Sequence, residues 1–407
     1  MRKLIPIFTT IATSILHITP YYKPAYQYGG PIISVSSLCE SHAKNGHQVT
    51  VFTTNANVAD TLSVPLQKKV KVDGVPVMYF SRWTGDSTFF SPSLLKELWR
   101  SADQYEYIHI HTWWNLVALF SVLVCWLKGI RPILSTRGMI GVYSFQSRSS
   151  TLKKVLHWTI GKWLLKQTIF HATVPKEAEE NLHIHADWTH FILPNIVEFP
   201  APQLPQKFTN PQKISKPSAI NKQPLQLLFL SRIHEIKGLE LLLEALAKVA
   251  FDWELKIAGD GDKAYIERLK IQAKQLDIAT QISWIGWAAG AEKQALFQQN
   301  DLLVLVSKSE NFANCVLEAL VEGLPVLVSE QVGLSYYVAE KDLGWVCQRK
   351  LSSVVTTLEE IYHATQKRQA ITKKAVTMVR KDFAGLPLAE KYVKQYERAT
   401  RSVLHAV

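Results

Sequence analysis

Short β-prone runs alternate with amphipathic stretches along most of this chain, and that alternation restricts the fold more than any single motif. In the first half, strands are predicted at Ile15–Thr19, Gln48–Thr53, Val77–Phe80, Tyr107–His111 and Pro132–Thr136. Helical patterns at Ile32–Asn45 and Leu116–Lys128 lie between them. Alternating strand and helix signals imply βαβ units and a parallel sheet covered on both faces. The pattern stops where prolines recur at 194, 200, 202, 205, 211, 217 and 224 among Gln, Lys, Ser and Asn. Proline removes backbone donors and breaks periodic structure, so residues 197–224 are read as a linker.

Beyond it the alternation restarts, with strands at Leu225–Leu230, Leu255–Ala258, Ile282–Ile285, Leu302–Val306 and Pro325–Val328. Helices are predicted at Leu239–Val249 and Tyr265–Leu276. The expected architecture is α/β: two doubly wound, Rossmann-like domains, residues 1–196 and 225–386, facing each other across a cleft. A last helical stretch from about Pro387 has no strand after it and is expected to pack back on the first domain. Ligands of such sheets bind at the carboxyl ends of the strands.

Composition narrows the class. Apolar residues make up 47% and charged residues 20%, enough to build sizeable cores and too apolar for disorder. Cys39, Cys125, Cys315 and Cys347 form no C-x-x-C pair, which argues against a disulfide framework or zinc ribbon and fits a reducing, cytoplasmic setting. The net charge of +12 attracts phosphates of any kind without choosing among nucleotides, lipid headgroups and nucleic acid. The longest apolar run, Leu116–Leu127, is shorter than the ~20 residues of a spanning helix. At the N-terminus, LIPIF turns polar at Thr9-Thr10, too soon for a secretory signal.

Two segments carry chemistry. In SENFANCVLEALVEGLPVLVS, ending at Ser329, a strand gives way to a polar turn holding Glu310, and a helix starts near Asn314. The N-terminal residues of that helix, Phe312, Ala313, Asn314, Cys315 and Val316, offer unpaired N–H groups and a positive dipole end to a phosphate. Glu318, about one turn inside, can accept hydrogen bonds from both hydroxyls of a ribose, with Glu310 nearer a sugar. Taken alone, Glu310 also reads as a solvated turn residue and Glu318 as an exposed helix residue. In FLSRIHEIKGLELLLEALAKV, a strand runs into a loop with Arg232 and Lys237, then Gly238 and an amphipathic helix. Two cations at a strand end suit a diphosphate, though surface charge after a strand is the plainer reading.

Together these segments resemble the group 1 family of retaining glycosyltransferases, which share the GT-B architecture. The family's E-x-x-x-x-x-x-x-E element is matched by Glu310 and Glu318, and its Arg and Lys before a helix by Arg232 and Lys237. The resemblance extends to a paired-glycine loop, Gly29-Gly30, after the first strand. It also implies a base-binding region near Ile285-Gly286-Trp287, contacted through backbone groups.

YIHIHTWW puts His109 and His111 on one face of a strand end. Zinc would need a further ligand, and the sequence offers no convincing one. By resemblance the two histidines face the interdomain cleft on the acceptor side; structural packing is the alternative. In STRGM, Arg137 stands where many family members carry a histidine near the acceptor. Ala313 replaces a common glycine, a change expected to be tolerated if its φ is negative. Asp260-Gly261-Asp262 resembles a D-x-D metal motif, but its place directly after a strand reads as a turn, so no metal is expected.

The resemblance implies transfer from a nucleotide-sugar substrate with retention, with no tightly bound cofactor. Arg232, Lys237 and the helix start would stabilise the departing diphosphate, and Glu310 would position the sugar. UDP-sugar is favoured over GDP-sugar, with a glycan or lipid-linked acceptor in cell-surface polysaccharide or lipopolysaccharide synthesis. TLKKVLHWTIGKWLLKQ, residues 151–167, is basic and amphipathic, and either lies at the anionic inner face of a membrane or packs on its own sheet. The alternatives are a sugar-nucleotide epimerase or a non-catalytic nucleotide- or nucleic-acid-binding protein. No recognised nucleic-acid motif appears, so nucleic acid is not an expected partner.

Overall fold

The computed structural model describes residues 12–58, 60–141, 157–183, 186–199 and 223–404. The apolar N-terminal segment, residues 151–156 of the basic stretch and most of the linker (200–222) lie outside the described residues. The chain divides into two compact units, residues 1–196 with 385–407, and residues 197–384.

The first unit is built on strands β1 (Ser14–Thr19), β2 (Gln48–Thr54), β3 (Ala56–Asn57), β4 (Asp60–Thr61), β5 (Lys69–Val72), β6 (Val75–Phe80), β7 (Tyr107–His111), β8 (Ile133–Ser135), β9 (Ile169–Ala172) and β10 (His190–Ile192). Eight of them form one sheet in the order β10-β9-β8-β7-β1-β2-β6-β5, with β3 and β4 pairing apart. Only the β5–β6 pair of that sheet is antiparallel. Its two-residue turn, Asp73-Gly74, has positive φ at both positions (46° and 89°), as a tight hairpin requires. The helices are α1 (Gly30–Lys44), α2 (Pro92–Ser101), α3 (Leu116–Leu127), α4 (Lys162–Lys166) and α5 (Pro175–Leu182). Asn115 starts α3 by accepting a 2.8 Å bond from the Ala118 N–H.

The second unit is an all-parallel sheet of β11 (Leu225–Leu230), β12 (Trp253–Ala258), β13 (Ile282–Gly286), β14 (Leu302–Leu305), β15 (Val326–Ser329) and β16 (Gly344–Cys347). Its order is β13-β12-β11-β14-β15-β16. The near-continuous apolar sequences LQLLFL, LLVL and VLVS follow from burial on both faces. Around it run α6 (Leu239–Leu246), α7 (Lys263–Gln275), α8 (Gly290–Gln299), α9 (Asn314–Val321), α10 (Ser335–Glu340), α11 (Leu351–His363) and α12 (Thr365–Phe383). The chain enters at β11, builds outward to β13, then crosses back to β14 on the other side of β11. That reversal is the topological switch point, where loops leaving β11 and β14 diverge and open a crevice.

The last helix, α13 (Gly385–Leu404), belongs to the first unit. Leu388, Ala389, Tyr392 and Tyr396 recur at helical spacing and are buried in one cluster with Ile15, Leu38, Tyr107, Ile133 and Ile169. Burying such side chains stabilises by roughly 1.5–3 kcal/mol each, enough to hold the helix on the sheet.

Candidate functional site

At the switch point of the second unit, the segment after β11 turns through Glu235–Lys237 to Gly238 and enters α6. Gly238 has φ +75°, and a Cβ there would sit 2.2 Å from the Val306 carbonyl oxygen. No side chain fits, so the loop lies directly on the end of β14. This close approach brings Lys237 Nζ into an ion pair with Glu310, both side chains mostly buried. The Glu310 turn is anchored in its own right: its N–H donates to the Gln331 carbonyl (3.2 Å) and its carbonyl accepts from Gly333 N–H (2.8 Å). Arg232, by contrast, is exposed.

Glu318 projects from α9 and pairs with Lys293 of α8 at 2.7 Å. Lys293 has no motif around it and went unrecognised in the sequence; only its place on the helix before β14 hints at it. Cys315 links the two ion pairs. Burial pushes its thiol up to about 12, and the charges of Lys237, Glu318, Glu310 and Lys293 all act on it. Two glutamates and two lysines therefore surround the start of α9.

Ala313 does not meet the condition of a negative φ under which alanine for glycine is expected to be tolerated. Its φ is +71° and ψ +73°, left-handed, rather than negative. The chain must reverse from the Glu310 turn into α9 at this residue, and the left-handed conformation does so at a cost an L-residue bears of roughly 1–2 kcal/mol. Phe312 and Val316 are buried and serve packing. Ile285 and Gly286 end β13, and the Gly286 carbonyl accepts from Gly259 N–H at 2.7 Å. Asp262 caps α7 by accepting from Tyr265 N–H (2.8 Å), and Asp260 Oδ1 accepts from Gly261 N–H (2.8 Å). These carboxylates are engaged by backbone, as the turn reading requires.

In the first unit Gly29, at φ +76°, caps α1, and Gly30 is the first residue of the helix. A Cβ on Gly29 would meet nothing within 4 Å, so the space above the loop is open. His109 and His111 are fully buried, which favours structural packing over the cleft-facing role that the resemblance implies. The reason is the chain of partners that holds them. Tyr396 Oη lies 2.8 Å from His109 Nδ1, His109 Nε2 lies 2.6 Å from Ser135 Oγ, and Ser135 Oγ lies 2.6 Å from His171 Nδ1. His171 Nε2 reaches the Leu193 carbonyl at 2.8 Å and must donate to it. Burial keeps both imidazoles neutral, so working backwards Ser135 donates to His171, His109 to Ser135, and Tyr396 to His109.

A second relay runs through Arg137, whose Nη2 lies 3.3 Å from His111 Nδ1, while His111 Nε2 lies 2.9 Å from His17 Nδ1. The guanidinium can only donate, so His111 passes its proton side to His17, leaving the buried His17 Nε2 without a partner. Burial, then the Arg137 charge, lowers the pKa of His17 to about 3 and holds His111 well below the usual range. Arg137 also bonds Ser34 of α1 (3.0 Å) and Asn195 (2.8 Å). It has φ +52°.

His17 is the further ligand the sequence did not reveal: a nitrogen of each of His17, His109 and His111 lies within 4.8 Å of the others. Such spacing would suit a metal. Apart from His17 Nε2, their nitrogens are engaged by Tyr396, Ser135, Arg137 and each other, and a guanidinium beside His111 opposes a cation.

Comparison with known proteins bears on the family and the fold. A model described as glycosyl transferases group 1 matches residues 210–378, and one described as a glycosyl transferase 4-like domain matches residues 29–186. An uncharacterized glycosyltransferase of Methanocaldococcus jannaschii is 24% identical over 399 residues, covering 94% of this chain and 97% of that protein. Among solved structures, the sucrose-phosphate synthase of Thermosynechococcus elongatus superposes with a TM-score of 0.71 at 17% identity, covering 96% of this chain and 100% of that one. The Anabaena protein HepE in complex with UDP gives 0.71 at 14% identity, covering 95% and 100%.

Proposed function

The chain belongs to the group 1 glycosyltransferase family, with the two parallel-sheet α/β units of the GT-B architecture, and on that premise we propose how it handles its substrates. It takes a nucleotide-sugar donor, a UDP-sugar in preference to a GDP-sugar, into the second unit. The sugar passes, with retained anomeric configuration, to a glycan or lipid-linked acceptor of cell-surface polysaccharide synthesis. The observation that carries this reading is the Lys237–Glu310 pair at the switch point, beside the start of α9.

Each group has a chemical role in this account. The exposed Arg232 and the paired Lys237 take the diphosphate, Arg232 by a two-point contact and Lys237 as a point charge. Departure of the nucleoside diphosphate builds charge on its β-phosphate oxygens, and these cations with the α9 N–H groups stabilise it without a metal. Losing one such preorganised donor typically costs about 2.7–4 kcal/mol of transition-state stabilisation. Glu318 accepts from the ribose hydroxyls, Glu310 orients the sugar while holding Lys237, and the backbone at Ile285 and Gly286 meets the base. On the acceptor side Arg137 is the contact group, held in place by His111, Ser34 and Asn195. The leaving phosphate takes the acceptor proton, so no enzyme nucleophile is needed.

Incubation with a panel of UDP- and GDP-sugars in chelator, following nucleotide release and the anomeric configuration of product by NMR, tests this. Turnover that needs added metal, or product of inverted configuration, would refute the mechanism.

A further inference from the structure

The first unit carries an exposed aromatic face that the transfer reaction does not use. Trp99 on α2, Trp126 and Leu127 on α3, and Ile160 and Trp163 at and before α4 are 49%, 42%, 55%, 49% and 40% exposed. They are contiguous. The Trp126 and Trp163 rings meet edge to face at 4.7 Å, Ile160 lies one turn before Trp163, and Lys128 Nζ sits 5.6 Å over the Trp99 ring. Helix α3 carries no charged residue from Leu116 to Leu127. Single exposed apolar residues are ordinary, but a joined cluster with three tryptophans marks an interaction surface.

Charge selects the partner. Lys162 and Lys166 flank Trp163, Arg100 follows Trp99, and Lys128 follows Leu127. Helices α2, α3 and α4 themselves carry one acid, Glu97, and Asp103 just beyond α2 is paired with Lys128. We propose that this face of α2, α3 and α4 docks on an anionic bilayer, its tryptophans at headgroup level and its cations on lipid phosphates. The inference deepens the lipid-linked side of the proposed function and rests on that reading for its purpose, though not for its physics. Tryptophan prefers the membrane–water interface, and each surface Lys or Arg raises affinity for anionic lipid by about fivefold.

Vesicle flotation of the full chain, with tryptophan emission recorded, tests it. Binding to phosphatidylglycerol-containing vesicles with a blue-shifted emission, absent with pure phosphatidylcholine and reversed by high salt, is expected. Trp126→Ser with Trp163→Ser should weaken binding by roughly tenfold, and separately Lys162→Glu with Lys166→Glu by about thirtyfold or more. Circular dichroism and UDP titration of the same preparations show whether the variants fold. Failure of the wild-type chain to float, or floating of both double variants as well as wild type, overturns the proposal. So does a dimer that the tryptophan variant turns into monomer while vesicles are ignored, because the face would then belong to a second copy. Vesicle binding by a chain that ignores UDP would leave this proposal standing and remove the donor reading instead.

Discussion

Lys293 Nζ lies 2.7 Å from Glu318 Oε2, joining the helix before β14 to the helix after it. Both side chains are about a quarter exposed, 27% and 23%, so water screens the pair. Such a pair contributes roughly 0–1 kcal/mol. Its consequence is orientation: the pair restrains the Glu318 carboxylate proposed to accept from the ribose hydroxyls. Lys293→Met should therefore weaken UDP binding by about two- to fivefold, well short of Glu318→Ala, with little change in stability. Calorimetry on the two variants checks the ranking, and equal losses would mean Lys293 contacts the ligand itself.

Ala313 holds a conformation that costs an L-residue roughly 1–2 kcal/mol, and glycine avoids it. Glycine also gains unfolded-state freedom, which takes back about 0.4–1 kcal/mol. Ala313→Gly is expected to raise stability by about 0.5–1 kcal/mol in denaturant unfolding. Ala313→Val should lower it by about 1–3 kcal/mol, because a β-branched side chain is least tolerant of positive φ. Equal stability of all three forms would contradict the left-handed assignment.

The buried imidazoles make the first unit acid-labile. Burial lowers His17 and His171 from 6.5 to about 3, and it also holds His42, His109 and His111 well below 6.5. Below pH 6.5 the unfolded chain binds protons that the folded unit refuses, so stability falls as pH falls and levels off near 3. His17 and His171 each cost about 1.4 kcal/mol per pH unit between 6.5 and about 3, and the other three act in the same direction. Against a typical stability of roughly 5–15 kcal/mol, the unit should unfold with a midpoint above about pH 4. A circular dichroism titration reads the midpoint, and His42→Leu should move it lower. A transition confined below pH 3 would show that the imidazoles are hydrated.

Tyr396 ends the relay through His109 and Ser135 to His171. Tyr396→Phe leaves the His109 Nδ1 acceptor buried and unpaired, at an expected cost of about 1–3 kcal/mol. Ser135→Ala interrupts the same chain at its centre. The double variant should lose less than the sum of the two, which a double-mutant cycle measures. Strict additivity would mean the relay is not one network.

What the sequence made legible were features with local signatures. The apolar runs of β11, β14 and β15 announce buried parallel strands, and the Glu310–Glu318 spacing announces a turn and a helix start. Strands β9, β10 and β16, with sequences IFHA, HFI and GWVC, are too short for periodicity to stand out and exist because neighbouring strands supply partners. His17 and His111 are separated by 94 positions, and only the pairing of β1 with β7 brings them together. Lys293 was missed for a similar reason: nothing adjacent to it in the chain refers to Glu318. The sign of φ at Ala313 depends on how the turn is pinned by residues 331–333, which the local sequence does not encode.

The proposed mechanism depends on a nucleotide site formed by the loops after β11 and β14. Calorimetric titration of the chain with UDP and GDP in chelator, beside Arg232→Ala and Glu318→Ala, tests it most directly. Binding of UDP in preference to GDP without metal is expected, weakened by about tenfold or more in each variant, as the loss of a charge-assisted hydrogen bond implies. Absence of binding by either nucleotide, or binding untouched by both substitutions, would contradict it.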